Sequence, residues 1–211
     1  MKRTTAILAT AAAAASFMLT PTTATATAQT STGTTSLAEV LAADGLEFDG
    51  KWRDFDILDQ AVNDVIADDA DSPVAILADG TARLTAFAPT DRAFRRLVAD
   101  LTGSKPANEA ATYEAVASLG LDTVEAALLH HVVPGATITY RQAMKADGAR
   151  LDTASGKKIR VDVKRRLDRV FLVDKDRNDR NAFVLPRAKN INQGNRQIAH
   201  GVSQVLRPVN L

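Results

Sequence analysis

The amino-acid sequence predicts an α+β domain in which helices come first and strands follow. Before Gly148, apolar residues recur at spacings of three and four, as on the buried face of a helix. After Gly148 the period becomes two, because Ile159, Val161 and Val163 alternate with charged residues. The chain contains neither an internal repeat nor a second linker, so one folded domain is expected.

The first 28 residues have the features of a secretory signal peptide. Lys2 and Arg3 form a basic start, the run from Ala6 to Leu19 is apolar, and Ala26-Thr27-Ala28 fits a cleavage site. The alternative is a retained membrane anchor, but the apolar run has 14 residues, whereas a spanning helix needs about 20. We therefore expect an exported protein that is cleaved after Ala28.

Residues 29–36 consist of polar residues and one glycine, and they are expected to be a flexible leader before a domain that spans residues 37–211. The chain has no cysteine, which excludes disulfides and a thiol-linked lipid anchor. Its net charge of +1 becomes −1 when Lys2 and Arg3 are removed with the signal segment. This near-neutral charge argues against binding to nucleic acid or to an acidic membrane surface.

Residues that can cap a helix N-terminus precede six apolar, periodic segments. Three of them have Glu or Gln three residues later, which completes a capping box. The six expected caps are Ser36, Asp54, Thr90, Asn108, Asp122 and Thr139. The first helix is expected to end at Gly45, the fifth at Pro134-Gly135 and the sixth at Gly148.

The strands are predicted from short apolar runs. The first, Leu84 to Ala88, lies between helices and is expected to end at Pro89, which places Phe87 in the core. The others follow the Ile159–Val163 alternation, and we expect them to form an antiparallel sheet. They are Val170 to Val173, Ala182 to Leu185 and Ile198 to Leu206. The basic stretch from Lys157 to Arg169 is interpreted as a solvated strand face.

Catalytic and nucleotide-binding motifs are missing from the sequence, which has no Gly-rich phosphate loop and no G-x-S-x-G. Ser155 and Lys158 fit the S-x-x-K spacing of penicillin-interacting enzymes. Gly156 and the alternating strand that follows favour a hairpin turn instead. No enzyme activity is therefore predicted, and a hydrolase that uses Ser155 remains a minor alternative.

The sequence predicts no cofactor and no metal. His130, His131 and His200 could bind zinc, but adjacent histidines on a helix point about 100° apart. They are expected to be structural. A second alternative is weak calcium binding by Asp174, Asp176 and Asn178, although the Gly and Glu that an EF-hand requires are replaced by Asp179 and Leu185. A solvated turn is favoured there.

Three blocks carry a family resemblance. Residues 85–94, TAFAPTDRAF, match the block T-x-F-A-P-T-[ND]-x-A-F, and residues 128–135, LLHHVVPG, match L-[LK]-Y-H-V-V-P-G. Residues 195–208 match a closing block more loosely, with Gly201 and Ser203 in place of an apolar residue and an acid or amide. Together they resemble the fasciclin-type domain family, and the chain is similar to a secreted bacterial member.

This resemblance implies a fasciclin-like β-sandwich or wedge with several helices packed on it. It also implies a non-catalytic extracellular module for binding or adhesion, with a cell-envelope, matrix or protein partner. The alternative function is a small-ligand carrier with a cleft between sheet and helices. The tyrosine that animal members use for receptor adhesion is His130 here, which disfavours receptor adhesion of that kind. The motif residues are Thr85, Phe87, Pro89, Thr90, Asp91, His131, Pro134, Gly135 and His200.

Overall fold

The computed structural model describes residues 32–43, 45, 47–174, 176 and 180–209. The predicted signal peptide, residues 1–28, lies outside these ranges. The described α-helices are α1 (Leu37–Ala42), α2 (Asp56–Asp68), α3 (Asp91–Thr102), α4 (Glu109–Ala117), α5 (Leu121–His130) and α6 (Tyr140–Ala143). The described strands are β1 (Leu84–Pro89), β2 (Val132–Pro134), β3 (Arg150–Asp152), β4 (Lys158–Lys164), β5 (Arg169–Val173), β6 (Ala182–Phe183) and β7 (Gln197–Val202).

The strands form two sheets. In the first, β1 lies between β2, to which it is antiparallel, and β7, to which it is parallel. The second contains β3, β4, β5 and β6 in that order, all antiparallel. The expected antiparallel sheet is thus correct for β4 to β6, but it is wrong for β7. All six residues of β7 are buried, as is typical of a strand that is covered on both faces.

Two apolar cores hold the layers together. The larger lies between the helices and the first sheet, and it includes Ile57, Leu84 and Phe94. The second lies between the two sheets, where Phe87 of β1 packs in the same cluster as Val161 and other residues of β4 and β5. Strand β1 supplies both cores because its side chains alternate between its two faces. This arrangement confirms the α+β fold class, with two sheets and helices packed on one of them.

Three of the six predicted helix caps are formed. The boxes at Ser36 and Thr139 are formed, and the Asn108 side chain accepts a hydrogen bond from Ala111 N. The cap predicted at Asp54 is wrong, because α2 has Phe55 at its N-cap with no side-chain bond. The cap at Asp122 is also wrong, since the N-cap of α5 is Gly120, two residues earlier.

Two helices end earlier than the sequence suggests. Helix α5 ends at His130 rather than at Pro134, because residues 132–134 pair with β1. Helix α6 ends at Ala143, well before Gly148. On α3, the spacing of Phe94, Leu97, Val98 and Leu101 predicts one buried face, but 39% of Leu101 is exposed.

The last residues of the predicted leader are attached to the domain. Gly33 N donates to Gly194 O at 2.9 Å, and Arg196 N donates to Gly33 O at 3.0 Å. Thr35 N donates to Asn195 Oδ1 at 3.1 Å. Flexibility was inferred from the lack of apolar residues, but backbone hydrogen bonds hold this segment without them.

Candidate functional site

The first motif block forms a corner at which the chain leaves β1 and enters α3, as the sequence predicts. All residues from Leu84 to Asp91 are buried. The Thr85 hydroxyl donates to Ala136 O at 2.7 Å and accepts from Ile138 N at 2.8 Å. Phe87 is 2% exposed in the core between the sheets. These side chains hold the corner in place and offer little surface to a partner.

The acidic residue of the corner caps a helix other than its own. Thr90 occupies the N-cap position of α3, but its side chain makes no capping bond, contrary to the prediction. Asp91 Oδ1 instead accepts a hydrogen bond from Ile57 N, in the first turn of α2, at 2.9 Å. Asp91 therefore takes the role that the sequence assigned to Asp54.

Two motif histidines join separate elements from within the core. His131 Nδ1 bonds to Ala127 O at 2.7 Å, and its Nε2 accepts from Leu206 N at 2.8 Å. His200 Nδ1 accepts from Asn190 N at 3.1 Å, and its Nε2 donates to Ile138 O at 2.8 Å. Burial lowers the pKa of His131 to about 4 and also lowers the pKa of His200. Both rings are neutral, fully bonded links.

His130 and Ser155 lie close together. His130 Nδ1 is 3.1 Å from Ser155 Oγ and 3.2 Å from Thr153 Oγ1. Burial, with a smaller effect of Lys157, lowers the pKa of His130 to about 4, which makes it a weak base. Lys158 does not pair with Ser155, since its Nζ lies against Asp152. Ser155 lies in the turn between β3 and β4, as predicted.

The remaining motif residues and the acidic loop have different surroundings. Pro134 and Gly135 are exposed, and Gly135 N donates to Arg83 O at 2.7 Å.

The solvated turn expected at Asp174 and Asp176 is wrong, because Asp176 is 2% exposed. Its Oδ2 accepts from Arg207 Nη1 at 2.8 Å, while Arg207 N donates to Asp174 Oδ2 at 2.7 Å. Asn178 lies outside the described residues.

A basic cleft, with a volume of about 630 Å³, lies where the segment before α2 meets α3. The described residues that line it are Lys51, Trp52, Arg53, Arg92, Arg95, Arg96 and Lys105. The Arg95 guanidinium lies 4.2 Å above the centre of the Trp52 ring, which holds both side chains in place. Burial and the charges of Arg92 and Arg180 lower the pKa of Arg96, as expected where cations crowd together.

Sequence reasoning missed this basic cleft. The near-neutral net charge was taken to exclude a concentrated basic surface, but the cleft collects cations from three separate segments. The sequence does contain one signal for this cleft. Arg92, Arg95 and Arg96 are spaced i, i+3 and i+4, which places them on one face of a helix.

An apolar groove of about 330 Å³ lies between α3, α5 and residues 205–209. Phe94, Leu97 and Leu128 are among the residues that line it, and so is His131. Leu101, also on its wall, is partly exposed. The groove lies between helices and the C-terminal segment, not between sheet and helices as the carrier alternative predicts. The described cavity that both the first sheet and the helices line has a volume of about 30 Å³.

Residues 59–208 match the fasciclin domain family. The chain belongs to this family. Among solved structures, it is similar to the FAS1 domain pair of the insect cell adhesion molecule Fasciclin I, with a TM-score of 0.53 and 16% identity. That match covers 82% of this chain but 51% of the other, so the chain spans about half the length of the insect structure. Comparison with curated proteins gave no match.

Fasciclin domains are in general extracellular modules related to adhesion. Within the described residues, no helix is both long and apolar enough to cross a membrane.

The departure from the fasciclin pattern at Gly201 has a steric cause, because a Cβ there would lie 2.5 Å from Ala188 Cβ. At Ser203, the hydroxyl accepts from Phe183 N at 3.1 Å and joins β6 to the end of β7.

Proposed function

We propose that this fasciclin domain is a secreted, non-catalytic binding module that recognises an acidic polymer of a cell envelope or matrix through the basic cleft. The observation that carries the proposal is the collection of six cationic side chains and Trp52 around one opening. Cations that line a concave surface attract polyanions, and an aromatic side chain adds contact area.

Export and the lack of catalysis are parts of this proposal. The signal segment, residues 1–28, supports export, and sequencing of the secreted protein is expected to begin at Gln29. A non-catalytic role is supported by the buried, fully bonded His131 and His200 and by the low pKa of His130. Hydrolysis that disappears in Ser155→Ala would contradict it.

The cleft is tested with purified protein, a soluble acidic polysaccharide and an uncharged one of similar size. We expect saturable binding of the acidic polymer that weakens as salt is added, and no binding of the uncharged polymer. Arg92 and Lys105 are the residues to change, since both are exposed. Arg95 is unsuitable because its Nε donates to Pro106 O.

The double variant Arg92→Glu/Lys105→Glu is expected to bind the acidic polymer at least about tenfold more weakly. Arg165→Glu/Arg166→Glu is the matched control. It makes the same change in charge at two exposed arginines that do not line the cleft. Equal binding by both double variants, or no binding by the parent protein, would rule out the cleft as the contact surface.

The second candidate function is a carrier for a small apolar ligand, which is favoured by the apolar groove. A fatty acid or an apolar fluorescent dye should then raise the melting temperature. Ala127→Phe, which places a ring into the groove, should abolish that increase. An unchanged melting temperature across such ligands would remove this candidate.

A further inference from the structure

Five acidic residues converge where three helices begin. Asp56, Asp91 and Glu109 are the first residues of α2, α3 and α4, and Asp49 and Asp54 lie in the segment before α2. One oxygen each from Asp54, Asp91 and Glu109 lie within 4.8 Å of one another, and the same holds for Asp49, Asp54 and Asp56. Asp54 belongs to both groups and therefore marks the centre of this acidic cluster.

The cluster contains buried oxygens without partners. Asp91 is 0% and Glu109 is 1% exposed. Each uses one oxygen to accept a backbone hydrogen bond, from Ile57 N at 2.9 Å and from Gly50 N at 2.8 Å respectively. Their other oxygens, Asp91 Oδ2 and Glu109 Oε1, have no hydrogen-bond partner among the described residues, and neither does either carboxylate oxygen of Asp54. Buried carboxylate oxygens without a donor are rare in native proteins.

The surrounding charges leave this cluster negative. Lys51 pairs with Asp49 at the exposed edge, and both side chains face solvent. Lys51 also acts on Glu109, but it offsets only part of the effect of burial and of the neighbouring carboxylates, which raise the pKa of Glu109. Buried carboxylates this close together repel one another unless a cation or a proton lies between them.

We propose that the acidic cluster is a calcium site centred on Asp54, with Asp91 and Glu109 as buried ligands and Asp49 and Asp56 on its outer side. The donors are all carboxylate oxygens, which calcium prefers and which softer metals do not. Calcium binds oxygens at about 2.3–2.6 Å, so ligands on opposite sides of the ion are about 5 Å apart. The spacing within the two groups fits that requirement.

The ion would join four parts of the chain. It would attach the segment from Asp49 to Asp54 to the starts of α2, α3 and α4, where two backbone bonds already hold it. These run from Asp91 N to Asp54 O at 3.2 Å and from Arg92 N to Trp52 O at 3.0 Å. The competing account is a proton shared between Asp54 and Asp91, which would need no metal.

The test uses the chelator-treated protein, calorimetric titration with calcium chloride and thermal unfolding. We expect saturable heat and, at about 100 times the dissociation constant, a melting temperature about 5–10 °C higher than in chelator. Magnesium at the same concentration should give a smaller shift, because it requires a tighter octahedral shell. No heat and no shift with calcium would overturn the proposal in favour of the shared proton.

Variants locate the site. Asp54→Asn should abolish both effects, whereas Asp122→Asn, which neutralises an exposed acid in the first turn of α5, should retain them. If Asp54→Asn does not fold, Glu109→Gln replaces it. Asp174→Asn tests the loop for which the sequence left weak calcium binding as an alternative. Calcium binding that persists in Asp54→Asn or Glu109→Gln, or that is lost in Asp174→Asn alone, would overturn the assignment.

The single tryptophan provides a local signal. Trp52 lies in the segment between Asp49 and Asp54, so terbium bound in the cluster should show luminescence sensitised by that ring, and calcium should displace it. Trp52→Phe should lose most of the luminescence but retain the calcium heat. Luminescence that is unchanged in Asp54→Asn would place the metal elsewhere.

Discussion

The buried surroundings of His131 and His200, here called the histidine region, and the acidic cluster are both buried and both polar, but they differ in how their polar atoms are paired. In the histidine region, all four ring nitrogens have partners within 3.1 Å. In the acidic cluster, five oxygens of Asp54, Asp56, Asp91 and Glu109 have none among the described residues. In one region every ring nitrogen has a partner within the protein, and in the other buried carboxylate oxygens have no donor among the described residues.

Whether a buried polar atom has a hydrogen-bond partner distinguishes structural from functional residues better than the type of residue does. Histidines are common metal ligands, yet these two are used as neutral hydrogen-bond links in the core. Carboxylates at helix starts are usually stabilised by backbone N–H groups. Here each of the two most buried carboxylates uses one oxygen in that way and leaves the other unpaired.

Removal of the ring that packs beside His200 should have the largest effect. The Phe87 and His200 rings are 6.1 Å apart, and Phe87 is 2% exposed. Phe87→Ala should lower the free energy of unfolding by about 3–5 kcal/mol, because it leaves a cavity between the sheets. Chemical denaturation measures the change. Leu101→Ala, at a residue that is 39% exposed, is the control and should cost far less. Equal losses would contradict the core position of Phe87.

The free energy of unfolding should also depend on pH through the buried histidines, including His130, whose Nε2 has no hydrogen-bond partner among the described residues. Burial lowers the pKa of His130 and of His131 to about 4, from 6.5. Below pH 6.5 the unfolded chain binds protons that the folded chain does not. The contribution of these neutral rings to the free energy of unfolding is therefore fully present above pH 6.5 and is lost as the pH falls toward 4. Each histidine should contribute a slope of up to about 1.4 kcal/mol per pH unit in that window.

Denaturation at several pH values measures this slope, and His130→Gln is the comparison. Glutamine does not titrate and can still bond to Thr153 or Ser155, so the variant should lose one histidine's share of the slope. Carboxylates that titrate in the same window affect both proteins equally. A slope that is unchanged in His130→Gln would show that this ring is not buried in its neutral form.

The parts of the fold that were predicted correctly are those whose signals are local. The corner from Leu84 to Phe94 is determined by eleven contiguous residues, and the alternation at β4 depends only on the side chains of that strand. The parallel pairing of β7 with β1 could not be predicted, because it depends on which sheet receives a strand more than 100 residues later. The alternation of side chains within a strand does not indicate which sheet the strand joins.

The candidate sites were even harder to predict, because they too depend on contacts between residues that are far apart in the sequence. The sequence predicts Asp54 as a helix cap, which is wrong, and includes Asp91 among the motif residues next to the predicted cap Thr90. What the sequence could not show is that Asp91 caps α2 and that Glu109, 55 residues from Asp54, lies beside both. With 25 carboxylates in the chain, no spacing rule selects these five. The acidic cluster exists only because the fold brings three helix starts together.

The smallest expected effect gives the sharpest contrast between the two regions. In chelator, Asp54→Asn should stabilise the protein by about 1 kcal/mol, because it removes a like charge beside Asp91 and Glu109 and its amide can donate to their unpaired oxygens. In calcium the parent protein should become the more stable of the two, so the order reverses. Asp122→Asn should stay within about 0.5 kcal/mol of the parent in both buffers. Thermal and chemical unfolding measure the order. If Asp54→Asn is destabilised in chelator, the Asp54 carboxylate already has a favourable partner, and the contrast with the histidine region fails.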